Sequence, residues 1–225
     1  MKKIILSAIC LLVLAAVSVS AQQHRRYYPR NRPQARQQQP PAYKVKFELI
    51  GGLNVSNVVN VNDYNFSTGT LAGLNAGIGL EVPFNRGFAF EPELLYSGKG
   101  YSAATNTGQF NQRTNWIDLP LLLKFKPTPY FNFVVGPQVS FLLSTQNTFI
   151  SGYNAQTQTL YNNATDGYNK TLIGGVVGVG FELSPYVELR ARYNIDLQST
   201  TIAGVSDIPQ YNNQVWQIGI AAKFF

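Results

Sequence analysis

The residues that could do chemistry in this chain are few and regularly spaced. Glu91 and Glu93 stand two apart, as do Glu188, Arg190 and Arg192. Alternate residues of a β-strand project from one face, so each set would present its charges together. Glu91 and Glu93 follow the turn residue Gly87 by four and six positions, and Arg190 and Arg192 follow Tyr186 by the same steps. If their strands stand opposite one another in a closed barrel, acids and guanidinium groups meet across the interior at matching height. Glu48, Asp118, Lys124 and Glu188 would add charge to the same space. The expectation is an ion-pair network of structural purpose, because eight strands enclose room only for side chains.

Reaction chemistry has little else to work with. His24 is the single histidine and lies in an N-terminal tail, so no histidine-based nucleophilic or acid–base arrangement can form on the body. Cys10, the single cysteine, falls in a leader segment. Asp63, Asp166 and Asp207 are isolated acids in polar loops, and no His or Cys cluster offers metal ligands. Gly174, Gly175, Gly178 and Gly180 fit crowding at the inner face of a strand rather than a phosphate loop. A hydrolase built on carboxylates alone is disfavoured, since the acids would sit in mid-lumen. We therefore expect no catalytic, cofactor-binding or metal residues, and no enzyme.

The elements that must position these charges are preceded by export signals. Lys2 and Lys3 precede an apolar run from Ile4 to Val17, and Val19-Ser20-Ala21 supplies small residues for cleavage between Ala21 and Gln22. Residues 22–43 are rich in Arg, Gln and Pro and cannot bury a core, so they read as a disordered periplasmic tail. The net charge of +7 belongs to these two segments. Two of the 18 basic residues lie in the signal peptide, five more are Arg25, Arg26, Arg30, Arg32 and Arg36, and the remainder balance the 11 acids of the body. The charge is thus no nucleic-acid signal. A cationic arm touching anionic envelope partners is the sharper reading of the tail.

Residues 44–225 alternate with the period of strands. Eight apolar faces recur, beginning with Val45, Phe47, Leu49 and Leu53 and ending with Trp216, Ile218, Ile220 and Phe224. Turns at Pro83–Gly87, Pro127–Pro129 and Ser184–Pro185 are short, whereas Asn57–Gly69, Gly98–Gln112, Ser144–Asn169 and Gln198–Tyr211 read as long polar loops. Short turns at one end and long loops at the other mark an outer-membrane barrel. A soluble barrel would turn its apolar face inward and carry charge outside. Here thirteen strand charges all share the opposite face from the apolar residues. A Lys or Arg facing lipid at mid-bilayer would cost about 2–4 kcal/mol. Strands of about 10 residues tilted about 40° also span roughly 25 Å, the height of a lipid-facing band. Tyr96, Phe125, Phe131, Tyr193, Trp216 and Phe224 lie near strand ends, as an interfacial girdle would. The expected fold is all-β: an eight-stranded antiparallel up-and-down transmembrane barrel in contact with outer-membrane lipid.

Three segments carry a family resemblance. Phe90-Glu91-Pro92-Glu93-Leu94-Leu95-Tyr96-Ser97-Gly98-Lys99-Gly100 resembles the "PELLYSxKG" segment of the PorT-like outer-membrane β-barrel family of Bacteroidota. Trp116 to Phe125 (WIDLPLLLKF) is similar to that family's "YLEIPLLLKY", and Phe133 to Leu143 to its "GPYVSYLL". The resemblance spans roughly residues 44–225 and implies an eight-stranded barrel; a namesake member is associated with protein secretion. The ending departs from the family, because Phe224 rather than Phe225 continues the apolar face. The functional expectation is a component for binding, adhesion or envelope and secretion assembly, acting through its loops or through residues 22–43. The loop aromatics Phe149, Tyr153, Tyr161 and Tyr168 suit a surface partner. The alternative is a narrow pore for small solutes or ions.

Overall fold

The computed structural model describes residues 43–59, 67–105, 108–151, 154–161, 167–202 and 210–224. The cleavage residues Ala21 and Gln22, the tail up to residue 42, and Cys10, His24, Asp63, Asp166 and Asp207 lie outside the described residues. Nine strands follow in order: β1 (Lys46–Val59), β2 (Ser67–Pro83), β3 (Phe88–Thr105), β4 (Gly108–Phe125), β5 (Phe131–Ser151), β6 (Asn154–Tyr161), β7 (Thr171–Ser184), β8 (Val187–Asp196) and β9 (Asn212–Phe224). All pairings are antiparallel, and the sheet closes where β1 meets β9 and β4 meets β5. Eight strands form the closed wall. β6 is an addition that pairs only with the upper half of β5, from Ser144↔Tyr161 to Ser151↔Asn154.

Burial runs opposite to that of a soluble protein. Leu49, Leu74, Val177 and Ile218 point outward at 54%, 65%, 52% and 63% exposure, while Glu48, Glu91, Asp118 and Lys124 are wholly enclosed at 0%. The alternation sets this arrangement: each inward charge has outward apolar neighbours on either side. Of the thirteen strand charges, Lys46 and Glu182 are half-buried and the others buried. Aromatics gather at both rims of the apolar band, as Phe88 with Phe125 (5.0 Å) and Phe47 with Phe224 (6.4 Å) at one end, and Tyr193 with Trp216 (4.9 Å) at the other. Phe224 faces outward opposite Phe47, which fixes the register of the last strand.

Two expectations need correction. The polar stretches read as loops are largely strand: β3 runs to Thr105, β4 starts at Gly108, and Ser144–Asn169 contains the top of β5 and all of β6. Above the apolar band both faces of a strand are polar, so the hydrophobic period vanishes although ladder pairs such as Tyr101↔Gln112 and Gln109↔Ile150 persist. A bulge helps to hide the pattern. Asn115 pairs with Ser144 but Trp116 with Leu142, so one residue of β5 is left over and Ser144 and Thr145 are both buried. Gly175 is the second correction, since a Cβ there would meet nothing within 4 Å. Gly178 and Gly180 do crowd the interior, where a Cβ would lie 2.6 Å from Arg192 Cγ and 2.5 Å from Glu188 Oε1 respectively.

Candidate functional site

The interior is filled in layers, beginning at the short-turn end. Arg190 and Arg192 on β8 reach across to Glu91 and Glu93 on β3. Arg190 Nη1 donates to Glu93 Oε1 (2.7 Å), Arg192 Nη1 to Glu93 Oε2 (2.5 Å) and Arg192 Nη2 to Glu91 Oε1 (2.8 Å). Arg190 also bonds Glu48 through Nη2 and Glu188 through Nε (3.2 Å). Lys124 touches Glu91 and lies 3.0 Å from Glu188 Oε2 and 3.9 Å from Glu48 Oε1. Seven of the eight anticipated lumen residues therefore share one network.

Asp118 does not. It pairs with Lys99 (3.1 Å), which also faces Asp196 (3.8 Å) and donates to Ser140 (3.2 Å). Lys99 stands over the Trp116 ring at 5.4 Å. Its role was hidden because Gly98–Gln112 read as a loop; continuing the strand period two residues past Ser97 would have placed it inside.

The lower network also recruits residues outside the expected set. Lys223 lies 2.5 Å from both Glu182 and Glu188 and 3.0 Å from Glu81, and Lys126 lies 2.5 Å from Glu81. Lys46 completes it at 3.9 Å from Glu81. Glu81, Glu182 and Lys223 stand singly on β2, β7 and β9, without the two-residue repeat that exposes the β3 and β8 sets, whereas Lys46 and Lys126 stand two residues from Glu48 and Lys124. Together Glu48, Glu81, Glu91, Glu93, Glu182 and Glu188 face Lys46, Lys124, Lys126, Arg190, Arg192 and Lys223. Six charges of each sign leave the cluster formally neutral, which makes burial tolerable. Two carboxylate trios could in principle hold a metal ion, Glu48-Glu81-Glu91 and Glu81-Glu182-Glu188. Both surround ammonium groups of Lys124 and Lys223, so protein cations already occupy the electrostatic position.

At the opposite end the lumen is shut by an aromatic and amide layer. Tyr101 packs edge-on against Tyr211 (5.1 Å) beside Val58 and Ala103. Tyr211 donates to Gln112 Oε1, and Gln112 Nε2 donates to Tyr168 Oη (2.7 Å) and Asn147 Oδ1 (2.9 Å). Burial disfavours the phenolates and raises the pKa of all three phenols above the ordinary tyrosine value. Tyr168, expected to be displayed, is 4% exposed and belongs to this plug. Phe149 remains at the surface of β5, Tyr161 ends β6, and Tyr153 lies outside the described residues. Midway along, a gap bordered by Asn75, Arg190, Arg192 and Gln217 measures about 10 Å³, barely one water molecule. A basin of about 670 Å³ opens among the short turns, walled by Pro83, Phe88, Lys126 and Pro129.

Residues 21–201 match the family described as "Outer membrane protein beta-barrel domain". The chain belongs to that family. This outer-membrane barrel therefore turns its apolar band to lipid, its short turns to the periplasm and its long strands outward. Among solved structures it is similar to Ail, the attachment invasion locus protein of Yersinia pestis, at 13% identity over 80% of this chain and 98% of that one, with a TM-score of 0.48. Neisserial surface protein A follows with 14% identity, 79% and 97% coverage and a TM-score of 0.47. OprG from Pseudomonas aeruginosa shares 13% identity over 80% and 95%, with a TM-score of 0.39. No curated protein matches the barrel in sequence.

Proposed function

We propose that this outer-membrane barrel is a closed, non-conducting and non-enzymatic component that works through its outer rim, as a binding, adhesion or assembly element of the envelope. The carrying observation is the filled lumen: an ion-pair network, then the Lys99-Asp118-Asp196 group, then the tyrosine and amide plug. With these layers of described residues filling the axis, the surface offered for specific contact is the wall standing above lipid. Residues 22–43 would engage anionic or protein partners in the periplasm. The PorT-like resemblance of residues 90–100, 116–125 and 133–143 supports a role in secretion assembly within Bacteroidota. Planar-bilayer recording tests the first half, and the expected conductance is indistinguishable from bare lipid. Steady ion-selective openings would replace this reading with the narrow pore. A mild-detergent pull-down of the full chain, repeated without residues 22–43, tests the second half. Partners kept in both preparations belong to the rim, and partners lost on truncation belong to the arm.

A further inference from the structure

Among the described residues, strand β6 is paired along one side of its backbone. Its eight residues, Asn154–Tyr161, pair with β5, and β5 in turn carries β4 on its far side. Among the described residues no strand pairs with the other edge of β6. β8 ends at Asp196, and among the described residues the wall beyond it is continued by the Tyr168↔Thr201 bridge and by backbone bonds such as Asn169 N to Thr200 O (2.8 Å), Ile202 N to Gly167 O (3.0 Å) and Thr200 N to Tyr211 O (2.8 Å). The hairpin thus rises beside a step in the rim.

Exposed edges are normally guarded by lysine, proline, a bulge or shortness. β6 has none of these guards. No Asp, Glu, Lys or Arg occurs between Pro127 and Thr165, and no proline between Gln138 and Thr165. Eight residues of ladder run for roughly 27 Å. Resting on the reading that the rim is the working surface, we propose that the free edge of β6 accepts an extended, uncharged polypeptide segment of another protein as an added strand. The chemistry identifies the partner class. The edge offers alternating amide N–H and carbonyl groups, which another main chain matches in register. The absence of charge removes ionic steering, and a polar partner strand would extend the side-chain ladder that the Thr148–Thr157 hydroxyl contact (3.1 Å) begins across β5 and β6. A second copy in the same membrane fits poorly. The symmetry axis relating two copies runs along the membrane normal, and it cannot bring two β6 edges together antiparallel.

The test uses the full chain in lipid nanodiscs and a fluorescein-labelled peptide with the sequence of residues 144–151, which already pairs with β6 in the fold. Saturable binding by anisotropy is expected. It should weaken at least tenfold when alternate peptide amides are N-methylated, and likewise in the Gln156→Lys, Thr157→Lys double variant, whose intact barrel is checked by heat-dependent gel mobility. No saturable binding, or binding indifferent to both changes, overturns the proposal. So does a doubled nanodisc mass without peptide, which would mean that the edge is taken by a second copy. Failure here, with rim partners still recovered by pull-down, would leave the broader function standing.

Discussion

Arg190 contacts four carboxylates, those of Glu48, Glu91, Glu93 and Glu188, as Lys124 and Lys223 each contact four, so its loss leaves buried charge uncompensated. Arg190→Ala should destabilise the barrel by about 3–5 kcal/mol, the usual effect of stranding buried partners. The Glu91→Ala, Glu93→Ala double variant should likewise lose heat resistance in detergent, because it strands Arg192. Urea titration in vesicles and the heat-dependent mobility shift measure both, and wild-type resistance in either variant would contradict a structural role. Exchanging the signs, Glu93→Arg with Arg192→Glu, should recover part of the loss. The β3 and β8 charges could be read from the sequence because two-residue spacing shows a strand face directly. Glu81, Glu182 and Lys223 could not, since a lone charge says only which side it takes and not what it meets. Lys99 was obscured for a different reason: its strand had lost the greasy face that announces a strand.

Strands are legible where lipid wets one side. Between Phe47 and Val55 every outward position is apolar or glycine, and the pattern alone gives the register. Charge placed on that face should therefore be disruptive. Leu121→Arg or Val179→Arg should lower folding stability by about 2–4 kcal/mol in vesicles, whereas Thr157→Arg above the band should be near neutral. Gly77 carries a tighter demand, because a Cβ there would sit 2.0 Å from the Leu94 carbonyl oxygen, so Gly77→Ala should separate β2 from β3 and unfold at lower urea. The outer plug responds to proton activity instead. Native Tyr101, Tyr168 and Tyr211 hold their protons above the ordinary tyrosine range, while unfolded phenols release them near about pH 10. Stability contributed by these phenols is present below that point and declines as the solution becomes more alkaline. Tyr211→Phe should flatten the decline in urea midpoint between about pH 8 and about pH 11. β6 escaped the sequence reading altogether, because neither of its faces is greasy and only backbone bonding defines it.

On the scale of the whole molecule, the proposed lack of conductance rests on the filled lumen, so deleting the tail should leave planar-bilayer recordings as silent as those expected of the full chain. The order of strands carries a further consequence. Thirteen paired positions, Phe47↔Phe224 to Val59↔Asn212, stitch the first stave to the last. The cylinder therefore cannot shut until residues 212–224 have been made. Before then β1 and β8 each present a raw margin that hydrocarbon cannot satisfy. Closure must therefore await residues 212–224. A chain stopped short of Asn212 should accumulate as a protease substrate in the periplasm and never reach the surface.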